Sequence, residues 1–268
     1  MYIEITFKKL TANTKDLLIA SLPCAEGFEE AANNDLKAIF LKDTYNETEV
    51  ISIAETLNVV FKKAEIRQQN WNTLWESNFS PVVVDDWVGI RASFHAPIQN
   101  VQHEIVITPK MSFGTGHHAT TFLMIQMMQK IAFTGKTVFD FGTGTGVLAI
   151  LAAKSGATRV VATDIDEWSI ENALENFEKN KTEGIILQQS NTGQQDELFD
   201  VVLANINRNV LLDNIPVLTK QLKKKGCLIL SGILTDDIDA ISKICSENGL
   251  TLMEQSEKKN WVCMRWQA

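Results

Sequence analysis

The sequence predicts an α/β protein of two units: a small ferredoxin-like α+β domain, then a larger doubly wound domain with a mostly parallel sheet. Three observations predict it. Residues 1–66 read β-α-β-β-α-β, the element order of a split βαβ sandwich. From Val138 onward, apolar runs alternate with amphipathic stretches, and strands alternating with helices build a parallel sheet. Between the two patterns stands Val138-Phe139-Asp140-Phe141-Gly142-Thr143-Gly144-Thr145-Gly146, an apolar strand running into glycines on alternate positions. Such a turn lets backbone approach a ligand where any Cβ would collide, and the helix after it starts with free N–H groups.

The totals agree with a globular protein. The 268 residues are 45% hydrophobic and 22% charged. A net charge of −8 argues against a general nucleic-acid binder, whose phosphate affinity needs surplus Lys and Arg. The four cysteines, Cys24, Cys227, Cys245 and Cys263, are scattered, which suits neither a disulfide framework nor a zinc site. No metal is expected. No run approaches a membrane span, and the N-terminus alternates like a strand rather than a signal peptide. The expectation is a soluble, cytoplasmic chain with no membrane partner.

In the first unit, Tyr2, Ile3, Ile5 and Phe7 mark a strand, and Thr14–Ala20 a short helix. Gly27–Ala31 and Leu36–Leu41 mark a strand pair around the turn Asn33-Asn34-Asp35. Val50, Ile53, Ala54 and Leu57 carry helical spacing, and Val59–Ile66 closes with a strand. Acidic residues outnumber basic ones, and there is no glycine-rich loop, so residues 1–66 read as a substrate-recognition module rather than a chemical one. Residues 67–81 read as a linker helix, with Trp71, Trp75 and Phe79 sharing a face before Pro81.

Residues 82–268 form the second domain. Its short runs Val82–Val84, Val88–Ala92 and Glu104–Thr108 predict an antiparallel start. A second glycine-rich loop, Phe113-Gly114-Thr115-Gly116-His117-His118, leads into a Met- and Leu-rich helix over 122–131, with Thr120 and Thr121 placed to cap it. After the central turn come a helix (146–155), a strand (159–164) and a helix (167–180) with Ile170, Leu174 and Phe177 on one face. Strands at 185–189 and 199–204 and a helix at 208–222 follow. The run Lys223–Gly226 turns into strand Cys227–Ser231, and a helix spans 236–247. Residues 250–256 and 261–266 form a closing hairpin that adds an antiparallel strand.

Asp164 ends the strand after the turn, 22 residues beyond Gly142, where a carboxylate meets ribose hydroxyls. The turn departs from a dinucleotide fingerprint: its third glycine is Gly146, and Val147 fills the dinucleotide slot. Asp140 before the turn is a poor neighbour for phosphate and a good one for a sulfonium and an ammonium. S-adenosylmethionine carries both, and a ribose. The closing hairpin agrees with a Rossmann-like, seven-stranded S-adenosylmethionine-dependent methyltransferase sheet.

Trp71-x3-Trp75-x3-Phe79-x-Pro81, Phe113-Gly114-Thr115-Gly116-His117 with Thr120-Thr121, Asp140-x-Gly142-x-Gly144-x-Gly146, Thr163-Asp164-Ile165-Asp166 and Ala204-Asn205-Ile206 together resemble the ribosomal protein L-eleven methyltransferases. The resemblance covers nearly the whole chain. It departs at Lys110, where the family often has glycine, and at Ala119, where proline is common. It implies methyl transfer from S-adenosylmethionine to lysine side chains or an α-amine of ribosomal protein L-eleven, by a monomeric enzyme. It places Thr121, Gly142, Asp164 and Asn205 at the cofactor, with Phe113, Gly114, Thr115, Gly116 and Gly144 around it and Ile165 against the adenine. Asn205 closes its strand at the carboxyl edge of the sheet, where ligands meet α/β sheets, and its amide oxygen could take a hydrogen bond from the attacking amine. His117 and His118 are alternative proton acceptors. Three other readings compete. One is a methyltransferase acting on an RNA or DNA base amine, although Asn205-Ile206-Asn207-Arg208 lacks the Asn-Pro-Pro-Tyr string such enzymes often carry. The others are a nicotinamide oxidoreductase, disfavoured by Val147, and a non-catalytic binding module.

Overall fold

The computed structural model describes residues 2–22, 25, 27–43, 45–66, 79–110 and 112–268. It divides into two compact units, Met1–Asn78 and Phe79–Ala268. The linker helix expected over 67–81, with Trp71 and Trp75, lies outside the described residues up to position 78. Phe79 to Pro81 are not helical.

The first unit runs β1 (Tyr2–Phe7), α1 (Ala12–Ser21), β2 (Gly27–Ala31), β3 (Asp35–Leu41), α2 (Glu47–Thr56) and β4 (Phe61–Ile66). Its sheet has the order β2-β3-β1-β4 with every pair antiparallel. This is the ferredoxin-like arrangement that the element order predicts. Alternation puts Ile3, Ile5 and Phe7 of β1 with Leu36, Ala38 and Phe40 of β3 on one face, where Leu18, Val50 and Ala54 of the helices cover them. The Asn46 side chain caps α2 by accepting from the Glu49 N–H.

The second unit opens with β5 (Val82–Val84), β6 (Val88–Ala92) and β7 (His103–Ile107). β5 and β6 are antiparallel, but β6 and β7 are parallel, against the antiparallel expectation. Residues 93–102 are long enough to carry the chain back along the strand before β7 starts. The Arg91 guanidinium ties the two strands together, donating to both Glu104 oxygens at 2.8 and 3.0 Å.

Then come α3 (Ala119–Gln129), β8 (Thr137–Phe141), α4 (Val147–Lys154), β9 (Arg159–Asp164), α5 (Glu167–Asn180), β10 (Ile185–Gln189), β11 (Phe199–Asn205), α6 (Arg208–Lys220), β12 (Leu222–Leu234), α7 (Ile238–Glu247), β13 (Thr251–Lys258) and β14 (Trp261–Gln267). The seven-stranded sheet has the order β10-β9-β8-β11-β12-β14-β13. Its first five strands are parallel, and β14 is antiparallel to both of its neighbours. One core gathers side chains of α3, α4 and α5, and another those of α6 and α7. Burial on both faces explains why the central strands read as unbroken apolar runs. The chain steps outward from β8 to β10 and returns beside β8 at β11. That reversal makes the carboxyl ends of β8 and β11 the switch point where such sheets bind ligands. Among the described residues no helix is long and apolar enough to cross a membrane.

Two local expectations are corrected. The run Lys223–Gly226 stays within β12 as a register shift against β11 rather than forming a turn, with Lys225 at φ 65°. On α5 the buried face is Ser169, Asn172, Ala173, Asn176 and Phe177, whereas Leu174 is 51% exposed. The asparagines are buried because they serve a strand edge. The Val106 and Thr108 N–H groups of the β7 segment donate to Asn180 and Asn176 at 3.0 and 2.7 Å. Asn172, Asn176 and Asn180 in turn donate to the carbonyls of Thr108, Thr145 and Val106. A ladder at i, i+4 and i+8 thus covers an edge that would otherwise be open, and it also grips the glycine turn at Thr145.

Candidate active site

The carboxyl ends of β8, β9, β10 and β11 converge on a cleft of about 780 Å³. Its floor is the glycine turn. Gly142 and Gly144 have φ 77° and 54°, a region that side chains other than glycine rarely enter. A Cβ on Gly142 would stand 2.3 Å from Ile206 Cγ2, and one on Gly144 would stand 2.3 Å from the Phe113 carbonyl oxygen. The turn is therefore pressed between the two segments that wall the cleft.

All five amides of the turn are engaged within the protein. Gly142 and Thr143 N–H donate to the Thr163 carbonyl at 2.9 and 2.8 Å, Thr145 N–H to Phe113 O at 2.9 Å, and Gly146 N–H to Thr143 O at 2.8 Å. Gly144 N–H donates to Asp164 Oδ2 at 2.9 Å. No amide of the turn is left for a pyrophosphate, which sets the site apart from a phosphate cradle. Asp164 Oδ1 accepts from Asp166 N–H at 3.1 Å. Each Asp164 oxygen keeps lone-pair capacity on the cleft side, as a ribose diol requires.

The second glycine loop is latched onto the first. Besides the Thr145 N–H to Phe113 O bond, the Thr145 hydroxyl donates to Gly114 O at 2.9 Å. Of this loop Phe113 lines the cleft, but Gly114, Thr115 and Gly116 do not. Gly116 faces a separate small cavity of about 240 Å³ with Val82 and Phe122. Gly142, Gly144, Asp164, Ile165 and Asn205 all line the main cleft, and Ile165 is 68% exposed there. Thr121 does not line it. Buried behind the wall, its hydroxyl accepts from Asn205 Nδ2 at 3.4 Å. That contact uses the donor end of the Asn205 amide. Its oxygen, in a residue only 8% exposed, has no partner among the described residues.

The two histidines separate. His117 points away from the cleft and binds the Ser80 carbonyl at 2.8 Å through Nε2, with Phe79 against its ring edge. His118 lines the cleft and is the N-cap of α3, the place expected for Thr120 or Thr121. Its Nδ1 lies 2.8 Å from the Thr120 hydroxyl and accepts from the Thr120 N–H. Its ring is set edge-on to Phe113 and Trp261. Burial lowers its pKa, which holds the ring neutral. A ring that accepts at Nδ1 carries its proton on Nε2 and so cannot take one there.

Asp140 lies beneath the turn, 1% exposed, and is not a lining residue. The sequence places it beside a ligand's positive charge; in the structure it does not reach the cleft surface. Its Oδ2 accepts from the Thr143 hydroxyl at 2.6 Å, and its Oδ1 has no side-chain partner among the described residues. Burial pushes its carboxyl up to about 7, against the pull of the Thr143 hydroxyl and the Ala149 backbone N–H, with Asp164 adding to the rise.

Ile206, of the quoted Ala204-Asn205-Ile206 string, also lines the cleft, and other lining residues escape sequence reasoning: Val210, Asp213, Gly232 and Trp261. Gly232 carried a signal, since an isolated glycine in an apolar strand marks close backbone approach. A Cβ there would fall 2.1 Å from the Ile206 carbonyl oxygen. Three carboxylates, Asp164, Asp166 and Asp213, line the cleft, and no described lining residue is Lys or Arg. The cleft suits a cationic ligand with a ribose, and the residues present fit S-adenosylmethionine.

A parallel sheet with an antiparallel penultimate strand, a glycine turn whose amides are spent, and an acidic cleft define a Rossmann-like methyltransferase of the S-adenosylmethionine-dependent class. A methyltransferase from Pyrococcus furiosus shares that fold, with TM-score 0.53 and 18% identity over 61% of this chain and 88% of its own. The chain belongs to the ribosomal protein L11 methyltransferase (PrmA) family, whose model matches residues 6–268. It is 37% identical to the ribosomal protein L11 methyltransferase of Bacteroides fragilis over 99% of both chains. It is 38% identical to that of Porphyromonas gingivalis over 98% of this chain and 95% of that protein. The crystal structure of a ribosomal protein L11 methylase from Lactobacillus delbrueckii subsp. bulgaricus matches with TM-score 0.66 and 31% identity, covering 70% of this chain and 98% of its own.

Proposed function

We propose that this chain transfers methyl groups from S-adenosylmethionine to amino groups of ribosomal protein L11, on lysine side chains, the α-amine or both. The observation that carries the reading is the unpartnered Asn205 amide oxygen at the carboxyl end of β11, in an acidic cleft floored by the glycine turn. The bound cofactor supplies an electrophilic methyl group on a sulfonium.

The protein's task is to present a neutral amine in line with that methyl group. At neutral pH a lysine of pKa ~10.4 costs roughly 4–5 kcal/mol to deprotonate, and an α-amine near 8 about 1.4 kcal/mol. Asn205 Oδ1 accepts an N–H of the amine and aims its lone pair, while Thr121 fixes the amide's orientation through Nδ2. His118, with Nδ1 occupied, is a neutral wall rather than a proton acceptor. Asp164 takes the ribose, Gly142 and Gly144 let the ligand lie close to the backbone, and Ile165 packs on the adenine. Phe113 contributes directly; Thr121 holds Asn205 and Gly114 holds the turn through Thr145, while Thr115 and Gly116 shape the loop that carries them. The ferredoxin-like unit recruits the substrate, and the enzyme works as a cytoplasmic monomer without binding nucleic acid.

Asp164→Ala should weaken S-adenosylmethionine binding tenfold or more (about 1.4 kcal/mol) with the circular dichroism spectrum retained. Unchanged affinity by calorimetry would remove Asp164 from the ribose site. The reading as a whole is tested by incubating the protein with labelled S-adenosylmethionine, purified ribosomal protein L11 and ribosomal RNA. Label should enter the protein. Deleting residues 1–66 should abolish that labelling while cofactor binding persists. Label appearing in RNA would overturn the substrate, and full labelling by the truncated chain would overturn the recruiting role.

A further inference from the structure

Asp140 has a chemistry that the transfer step does not use. It stands one residue before the end of the central strand, below the glycine turn and shut off from solvent, with Oδ2 held by Thr143 at 2.6 Å and Oδ1 without a side-chain partner among the described residues. Its strand neighbours in register are Ala162 on β9 and Leu203 on β11, neither of which brings a charge. From α4 the Ala149 backbone faces it, and the charged residue of that helix, Lys154, stands in the last turn at the far end. The charged group that acts on it is Asp164, a carboxylate, which works against ionisation. The resident charges thus favour the neutral acid, and a positive charge arriving on the other side of the turn tips the balance the other way. S-adenosylmethionine brings a sulfonium; S-adenosylhomocysteine, the product, has a neutral thioether in its place. Both carry the same ammonium and carboxylate.

We propose that Asp140 distinguishes methyl donor from product by its protonation: the carboxyl gives up its proton to solvent when the sulfonium occupies the cleft and keeps it when the thioether does. Binding of the donor is then coupled to the loss of a proton, and binding of the product is not. This rests on the reading that the cleft takes S-adenosylmethionine. The linkage has a definite sign. Below about pH 7, where burial holds Asp140 as the acid, the preference for donor over product rises with pH, by up to about tenfold per unit, and levels off above that range. Product inhibition should accordingly be stronger in acid.

The test is titration calorimetry of the whole protein with each ligand at pH 6.5, in buffers of different ionisation enthalpy. An α-amino group of pKa ~7.7–8.0 is almost fully charged at that pH and contributes little. A substantial fraction of a proton should be released with S-adenosylmethionine and close to none with S-adenosylhomocysteine. Asp140→Asn should abolish the release and reduce the donor-to-product affinity ratio measured at pH 8 towards one. Thr143→Val, which removes the hydrogen bond favouring the carboxylate, should move the pH midpoint of the ratio upward. It serves as the second variant should the asparagine protein fail to fold. Equal proton numbers for the two ligands, or release that persists in Asp140→Asn, overturns the proposal. Failure of the wild-type protein to bind either ligand overturns the cofactor reading instead.

Discussion

Asn205→Ala lowers the rate of methyl transfer by about 10²-fold or more, while cofactor affinity changes by no more than about tenfold. The expected magnitude is that of losing one well-placed polar contact at the reacting atoms. The reasoning starts from burial. Asn205 is 8% exposed, its Nδ2 is spent on Thr121, and its oxygen has no partner among the described residues. A buried amide oxygen left unpaired costs about 1–3 kcal/mol, which a bound amine recovers by donating to it. Alanine removes that acceptor without adding charge or volume. Single-turnover methylation of ribosomal protein L11, with cofactor affinity measured separately, separates the two effects. A single-turnover rate within threefold of wild type would show that the amine is aimed by another group.

Gly144→Ala abolishes measurable cofactor binding, a loss of about 10²-fold or more, and lowers stability by roughly 2–4 kcal/mol. Two costs add. The backbone at φ 54° is left-handed, which costs an L-residue about 1–2 kcal/mol. The new methyl group would also stand 2.3 Å from the Phe113 carbonyl oxygen, a backbone atom that cannot swing aside. The loop must retreat, breaking the Thr145 N–H bond to Phe113 and the Thr145 hydroxyl bond to Gly114, each worth about 1 kcal/mol. Both walls of the cleft shift with it. Thermal unfolding reports the stability cost, and calorimetry the binding. Wild-type affinity in a folded Gly144→Ala protein would show that the two loops need not be latched for the cofactor to bind.

Much of this architecture was legible along the chain. Period-two alternation in Ile3, Ile5 and Phe7 reports a half-buried strand whatever packs on it. The apolar runs of β8, β9 and β11 report burial on both faces. The glycine spacing and Asp164 located the cleft because backbone geometry and ligand approach act within a few residues. The readings that failed share a cause. Leu174 has helical spacing with Phe177, yet the buried stripe that Phe177 joins is mostly polar, because Asn172, Asn176 and Asn180 face a strand edge more than sixty residues away. Nothing in the local pattern shows that edge. The parallel pairing of β6 and β7 depends on the path of residues 93–102, which composition leaves open.

By itself the sequence determined the element order of both units, the position of the glycine turn and the chemical class of ligand. Those follow from short-range sterics and from which residue types each spacing brings to one face. Tertiary structure alone decided what each motif residue does. It put Thr121 behind Asn205 rather than in the cleft, spent every amide of the turn on internal partners, and sealed Asp140 beneath it. It also brought Trp261 and Gly232 to a wall that begins at Phe113. The physical reason is that hydrogen-bond satisfaction and burial are settled by neighbours distant along the chain, and those neighbours are fixed only when the sheet closes around them.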